Sequence, residues 1–306
     1  MILTPTRYRT FEVVIDWVQK SLLKYGKEVD TGHWQGVPTD PSTVTLELTN
    51  VAFTVPMPAP YDEGMTLNDT LEELRRQIQP NLPWADDHFA ERVSRVPSNP
   101  GEAYKSWPWW HGQELSFANN TADVFDQWDK QYKFSHTYQE RYWPKRAGMF
   151  EEEGARGIRY NYGDPDDLVD LLLREPYTRQ AYLPIFFPED TGAVHGGRIP
   201  CTLGYQFLLR EGKLHMWYFI RSCDFVRHFR DDLYLSARLL LWVLNELDKR
   251  AQAALTEDAP DNAYQSPWLT AQPGDFTFVC PSLHIHKGDL HHVTTEKRSS
   301  SISVGS

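Results

Sequence analysis

Between residues 10 and 25 the apolar positions Val13, Val14, Trp17, Val18 and Leu22 recur at helical spacing, which predicts an amphipathic helix. Residues 43–55 (TVTLELTNVAFTV) alternate apolar and polar and predict a strand. The stretch VDTGHWQGV between them reads as a turn. Residues 67–78 (LNDTLEELRRQI) return to helical spacing and predict a short amphipathic helix. From 80 to 120 the pattern dissolves into Pro, Trp and Asn, with aromatic clusters around Trp84 and at Trp107-Pro108-Trp109-Trp110. That stretch is too aromatic for a linker and predicts an ordered, loop-rich excursion. Beyond Asp166 the pattern sharpens. DDLVDLLL is helical, and RQAYLPIFF is apolar and β-rich. TLGYQFLLREGKLHMWYFIRS reads as a hairpin turning at Glu211-Gly212-Lys213, apolar on both faces and so expected to be buried on both. DDLYLSARLLLWVLNELDKRAQAAL is a long helix, apolar nearly all round in its first half and hence central. PGDFTFVCPSLHIH is a final strand. No internal repeat occurs, and the polar end of the chain is expected to fray over 294–306. The whole reads as one α/β domain over 1–306, with the excursion at 56–120.

Composition narrows the function classes. A chain of 306 residues can bury a sizeable core. The net charge of −11, with no basic run or helix, argues against tracking a nucleic-acid backbone. No window is apolar and long enough to span a bilayer, and the N-terminus does not read as a signal peptide. Three cysteines, Cys201, Cys223 and Cys280, show no metal spacing and too low a count for a disulfide framework, which fits a cytoplasmic protein. Eleven Trp fit either a well-packed globule or pockets that stack flat ligands.

Pro200-Cys201 taken alone is weak, because a lone cysteine before a strand is usually a small core residue. The order of its surroundings changes that. Arg179 precedes it, Gln206 follows on the same strand, then Arg221-Ser222-Cys223-Asp224, then Asp232 at a helix start, then His284 and His286. RIPCTLGYQF, YFIRSCDF, the helix entry at 231–236 and PGDFTFVCPSLHIH resemble, in order and spacing, the successive catalytic motifs of the thymidylate synthase family. The similarity is strong over about 176–290, weaker over 10–55 and 123–145, and does not extend confidently to 56–120. It implies a thymidylate synthase-like fold, a mixed sheet packed by helices, with the sheets of two subunits back to back in a homodimer.

The resemblance also implies roles. Cys201 would be the thiolate that adds to C6 of a pyrimidine nucleoside monophosphate and so activates C5 toward 5,10-methylenetetrahydrofolate, with no metal. A cationic neighbour favours a thiolate, and Arg221 matches the arginine that supplies this charge and binds phosphate. Arg179, reaching the partner's site, and Ser222 complete the phosphate clamp. Gln206 and His284 match further nucleotide contacts. Asp224 matches the pterin-binding aspartate, Phe125-Asp126-Gln127-Trp128 the folate-facing aromatic segment, and Tyr138 the tyrosine that assists proton removal from C5. The catalytic glutamate is expected at Glu91, with Glu102 and Glu114 as rivals.

The departures carry information too. Thr202 follows the cysteine where a His is usual. Asp30 stands where the family has a basic residue, which leaves one phosphate contact to be supplied elsewhere. His286 replaces a tyrosine at the sugar. Asp232 stands where an asparagine reads uracil. A protonated carboxyl offers O–H to cytosine N3 and C=O to its N4 amino group, and it can act as a general acid. The bland alternative is a helix N-cap, a part Asp231 could also play. Together these features resemble the cytidylate hydroxymethylases, such as those of nucleoside-antibiotic pathways like that of mildiomycin. They favour CMP over dCMP and hydroxymethylation over methylation. A methyltransferase acting on dCMP or dUMP, and a catalytically dead nucleotide-binding homologue, are the alternatives.

Overall fold

A computed structural model describes residues 4–34, 37–58, 66–99, 101–109, 137–147, 163–191, 199–255 and 265–294. Eight strands among them form one mixed sheet. In chain order they are β1 (Thr6–Arg7), β2 (Lys27–Val29), β3 (Thr45–Pro56), β4 (Tyr182–Pro184), β5 (Thr202–Arg210), β6 (Lys213–Ile220), β7 (Ser222–Asp224) and β8 (Gln272–His286). The spatial order is β1-β3-β8-β6-β5-β4, with β2 beside β3 and β7 beside β8. The long β8 is the spine. It runs antiparallel to β3 and parallel to β6 and β7, with an irregularity between Pro273 and Phe276. His33–Trp34 and Val37–Pro38 form a separate small pair inside the expected turn.

Hydrophobic burial places the helices against this sheet. They are α1 (Phe11–Tyr25), α2 (Leu67–Ile78), α3 (Trp84–Val93), α4 (Tyr138–Tyr142), α5 (Pro165–Arg174) and α6 (Phe229–Ala253). The central α6 buries Leu233, Leu240, Val243 and Leu247, as its all-round apolar first half predicts. Its first residue, Phe229, meets Phe53 of β3 and Phe278 of β8 edge-on, at centroid distances of 6.3 and 5.5 Å. Local chemistry fixes the helix starts. Thr10 accepts from the Val13 N–H, and Thr66 with Asp69, and Thr137 with Glu140, form reciprocal capping boxes.

One sequence expectation needs correction here. The excursion at 56–120 contains α3 as well as α2, where the sequence reading found no helix beyond 67–78. The apolar positions of WADDHFAERV lie among charges and next to Pro83, so the helical stripe is masked, and burial of Trp84, Ala85 and Phe89 decides it. One chain by itself buries one face of the hairpin. Tyr205, Phe207, Leu209, Leu214, Met216, Tyr218 and Ile220 are buried, whereas Leu203, Leu208, Trp217 and Phe219 on the opposite face are only half-covered within one chain. The turn itself is as expected, with φ of 51° at Glu211 and 71° at Gly212. At the other end of β5, a Cβ on Gly204 would lie 2.3 Å from the Tyr182 hydroxyl oxygen, so the edge strand β4 closes over a position only glycine fits.

Candidate functional site

Cys201 is the residue immediately before β5, and it is half-exposed whereas Cys223 and Cys280 are buried. Its segment is held from β6. The Arg221 N–H donates to the Cys201 carbonyl at 2.9 Å, and the Arg221 guanidinium donates to the carbonyls of Pro200 and Ile199 at 2.9 and 3.0 Å. Arg221 therefore braces the turn that presents the cysteine, and among the described residues its Nη1 makes no hydrogen bond, so it can meet an anion.

Next to Cys201, the Thr202 hydroxyl is buried 3.1 Å from the Tyr218 hydroxyl and also bonds Tyr138. Burial, the neighbouring Cys201 and Asp232 push the Tyr138 phenol up to about 12, against the opposing pull of Arg92 and the Thr202 bond. Tyr138 and Cys201 are thus brought into one electrostatic neighbourhood with Asp232, although they are distant in the chain. Thr202 and Tyr218 thus form a buried hydroxyl pair directly beside the cysteine.

Asp232 is one turn inside α6, half-buried, and the Cys223 thiol lies 3.6 Å from its Oδ2. Burial raises its carboxyl to about 7, with Asp231 and Asp224 adding to the rise while Arg92 and the Cys223 bond oppose it. Asp231 has a different task. It accepts the Asn81 backbone N–H at 2.8 Å and side-chain amide at 2.7 Å, tying the loop after α2 to α6. The helix N-cap is His228, so neither aspartate caps the helix.

A second group lies on β7 and β8. The register sets Asp224 opposite His284, and His286 is two residues further along the same face. Asp224 Oδ1 accepts the Val226 and Arg227 N–H groups at 2.9 and 3.2 Å, and its Oδ2 lies 3.7 Å from His286 Nε2. His286 is buried, with Nδ1 3.0 Å from the Thr43 carbonyl. Burial lowers the His284 pKa, so the ring is neutral at pH 7. Among the described residues these three side chains are the group with a metal-capable donor set, their ligand atoms within 4.8 Å of one another. Arg227, 3.8 Å from Asp224 and paired with Asp289, opposes a further cation there.

The remaining predicted residues fall as follows. Ser222 is half-buried on β7. Gln206 donates its amide to the Arg179 and Ala181 carbonyls, at 3.3 and 2.9 Å, and so pins the segment leading into β4. Arg179 is exposed there. Asp30 accepts from the Gly32 N–H and the Thr39 hydroxyl and shapes its own turn. Glu91 accepts the Glu102 and Ala103 N–H groups, at 2.6 and 2.9 Å, and the Gln139 amide at 2.7 Å. Burial raises its pKa, but the His88 contact and the two amides outweigh it and keep the carboxylate ionised. Glu91 thereby joins α3 to the helix that carries Tyr138. Glu102 is exposed beside Lys105. Glu114, Phe125, Asp126, Gln127 and Trp128 lie outside the described residues.

The sequence reading missed Arg92 and the aromatic stack of Trp84, His88, Trp107 and His228, in which Trp84 lies on His88 at 4.9 Å and Trp107 on His228 at 5.0 Å. A separate groove lined by Thr66, Leu67, Leu244, Asp248, Trp268 and Pro273 lies elsewhere and holds no cysteine, histidine or arginine.

No protein-family model matches the chain. Two curated proteins named "Putative thymidylate synthase", from Methanosarcina barkeri and Methanosarcina acetivorans, are each 23% identical to it over 131 residues, 39% of this chain and 59% of theirs. The chain thus spans about three-fifths of the length of these curated relatives. Among solved structures, thermostable thymidylate synthase A from Bacillus subtilis matches 96% of this chain and 84% of its own, at 13% identity and a TM-score of 0.54. The fold is that of thymidylate synthase.

Proposed function

We propose that this chain is a folate-dependent transferase that hydroxymethylates C5 of cytidine monophosphate. The observation that carries the reading is Asp232, one turn inside α6 with the Cys223 thiol 3.6 Å from its Oδ2, its carboxyl pushed up to about 7 by burial, and acting on the same Tyr138 phenol that feels Cys201. A carboxyl that keeps its proton near neutrality can donate to cytosine N3 and accept from the N4 amino group. An amide at the same place would pair with uracil.

The Cys201 thiolate adds to C6, with Arg221 beside it as the favouring positive charge and phosphate contact. Arg179, from the partner subunit, and Ser222 complete the phosphate clamp, and Gln206, His284 and His286 line the nucleotide's side of the pocket. The co-substrate 5,10-methylenetetrahydrofolate supplies the one-carbon unit. Asp224 offers a carboxylate edge to its pterin, and Phe125 and Trp128 offer flat faces. Tyr138 assists loss of the C5 proton. That loss expels tetrahydrofolate, unoxidised, and leaves an exocyclic methylene; water ordered by Glu91 adds to it, and the Cys201–C6 bond then breaks to return the thiolate. His286 is shorter than a tyrosine and leaves room at the ribose edge, which favours CMP over dCMP. Its Nε2 lies 3.7 Å from Asp224 Oδ2, which orients the ring at that place.

A second reading follows from the name of the curated relatives: methylation at C5 of dCMP or dUMP, with dihydrofolate as product. Mass identification of the product after incubation with methylenetetrahydrofolate and each pyrimidine monophosphate separates the two. 5-Hydroxymethyl-CMP with tetrahydrofolate is the expected result. A methylated nucleotide with dihydrofolate establishes the second reading instead.

A further inference from the structure

Arg92 plays no part in the reaction described above, yet it is 4% exposed and lies over the ring of Tyr138. A buried guanidinium ordinarily holds a carboxylate, as Arg141 holds Asp190 at 2.8 Å in this same chain. Among the described residues no carboxylate pairs with Arg92, and its Nε has no hydrogen-bond partner. Rings surround it instead. Its Cζ lies 4.2 Å from the Tyr138 ring centroid and 6.0 Å from that of Tyr142. Its Nη2 is 3.0 Å from His88 Nε2. Burial, with the Arg92 charge adding to it, pushes the His88 pKa down to about 4, so His88 is a neutral acceptor. The Trp143 indole N–H holds the Arg92 carbonyl at 2.7 Å. The cation is thus fixed in place without being neutralised.

Asp231 and Asp232 both feel this charge, but Asp231 is already engaged by the Asn81 backbone N–H and side-chain amide, which leaves Asp232 as the carboxyl open to a ligand. The groups around Asp232 are Asp231 on its own helix, Cys223 and Asp224 on β7, Cys280 on β8, Tyr218 on β6, Tyr138 and Tyr142 on α4, and Arg92 on α3. All but Arg92 are neutral or negative. We propose that Arg92 is a positioning residue for this site: a ring-clamped, carboxylate-free cation that governs proton release from Asp232 and hence the handling of the base. The proposal rests on the reading of Asp232 as the group that meets cytosine.

The sign follows. If the protonated carboxyl binds cytosine, nucleotide affinity falls as pH rises through its titration. Without Arg92, the proton is held to higher pH, so binding persists into the alkaline range while turnover suffers from a proton released too late. Arg92→Met leaves no orphaned carboxylate behind, which favours a folded variant.

The test is calorimetric binding of CMP to the full chain carrying Cys201→Ser, from about pH 6 to 9.5, with Arg92, Arg92→Met, Arg92→Lys and Asp232→Asn. Expected is an upward move of the midpoint by about one pH unit for Arg92→Met, equal to about tenfold tighter binding on the alkaline side. Arg92→Lys should stay within about half a unit of the parent, and Asp232→Asn should lose the transition. In the active background Arg92→Met should lower kcat and KM together. An unmoved midpoint in Arg92→Met overturns the proposal, including the case where only its melting temperature falls, as does a Lys variant displaced from the parent by a full unit (the arm that decides if the Met variant does not fold). If Asp232→Asn keeps the parental transition, the base-reading role of Asp232 fails first and Arg92's role falls with it.

Discussion

The three cysteines lie within electrostatic reach of one another, but only one is suited to nucleophilic work. Burial raises the Cys223 thiol well above its usual range and the Cys280 thiol to about 12, so neither forms a thiolate near neutrality. Cys201 is half-exposed on a turn braced by a guanidinium. Cys201→Ser should therefore abolish turnover while nucleotide binding, followed by calorimetry, persists. Cys223→Ser and Cys280→Ser should keep activity and lose about 1–3 kcal/mol of stability, the cost of a buried hydroxyl with imperfect partners. Comparable loss of turnover at Cys280 would identify a different nucleophile. Asp232 supports a second prediction. Its burial-raised pKa of about 7 means that the protonated form persists below that pH and is lost above it. Activity on CMP should fall through this range, whereas Asp232→Asn should flatten the profile and move preference toward the uracil nucleotide. A site built on buried hydrogen bonds discriminates by up to about 10⁴-fold. Equal activity of the parent on both bases would end this reading. The Asp was legible in the sequence through its place in the motif order. Arg92 was not, because HFAERV reads as an ordinary charged helix face, and only the fold shows that the face turns inward.

Among the elements, those with strong periodicity were readable almost to the residue. The helix expected at 67–78 occupies Leu67–Ile78, and the strand expected at 43–55 occupies Thr45–Pro56. The β-rich stretch at 179–187 supplies only Tyr182–Pro184, followed by a helical turn at Pro188–Thr191. What overrides its apolar run is a tertiary tie. Asp190 is 1% exposed and receives both guanidinium arms of buried Arg141 at 2.8 Å, and Arg141 also donates to the Ile185 carbonyl. No local pattern announces a pairing across 49 residues. The bridge joins the end of this segment to α4, and α4 presents Tyr138. Removing one partner leaves the other charge buried, so Asp190→Ala should cost about 3–5 kcal/mol by urea denaturation and lower turnover through displacement of Tyr138. Replacing both with apolar side chains should recover much of the stability. A single-variant loss below about 1 kcal/mol, the range of surface pairs, would show that the bridge does not organise α4.

At the scale of the molecule, the sheet presents a face that one chain leaves half-covered. Trp217 and Phe219 of β6 lie in register with Thr277 and Val279 of β8, and Leu203 and Leu208 of β5 continue the same surface. Such a face is larger than the scattered apolar residues of a monomer surface, and a second sheet is its natural cover. Arg179 lies exposed at the nearby edge, ahead of β4 and tied to β5 through Gln206. A back-to-back dimer would account for both, burying the aromatic row and carrying Arg179 toward the other subunit's phosphate. The chain should therefore sediment as a dimer. Trp217→Glu with Phe219→Glu should release monomers, because burying two carboxylates at such an interface costs more than their neighbours return. Arg179→Ala and Cys201→Ser chains, each inactive alone, should regain activity when mixed and re-equilibrated. Each mixed dimer then holds one site with an intact cysteine and an intact arginine from opposite chains, and random reassortment puts about half of the dimers in this form. The recovered rate should approach about a quarter of the parent's per subunit, one active site in every two mixed dimer positions. A fully active monomer, or mixtures that stay inactive although the chains demonstrably exchange, would place Arg179 in its own subunit's site or in none.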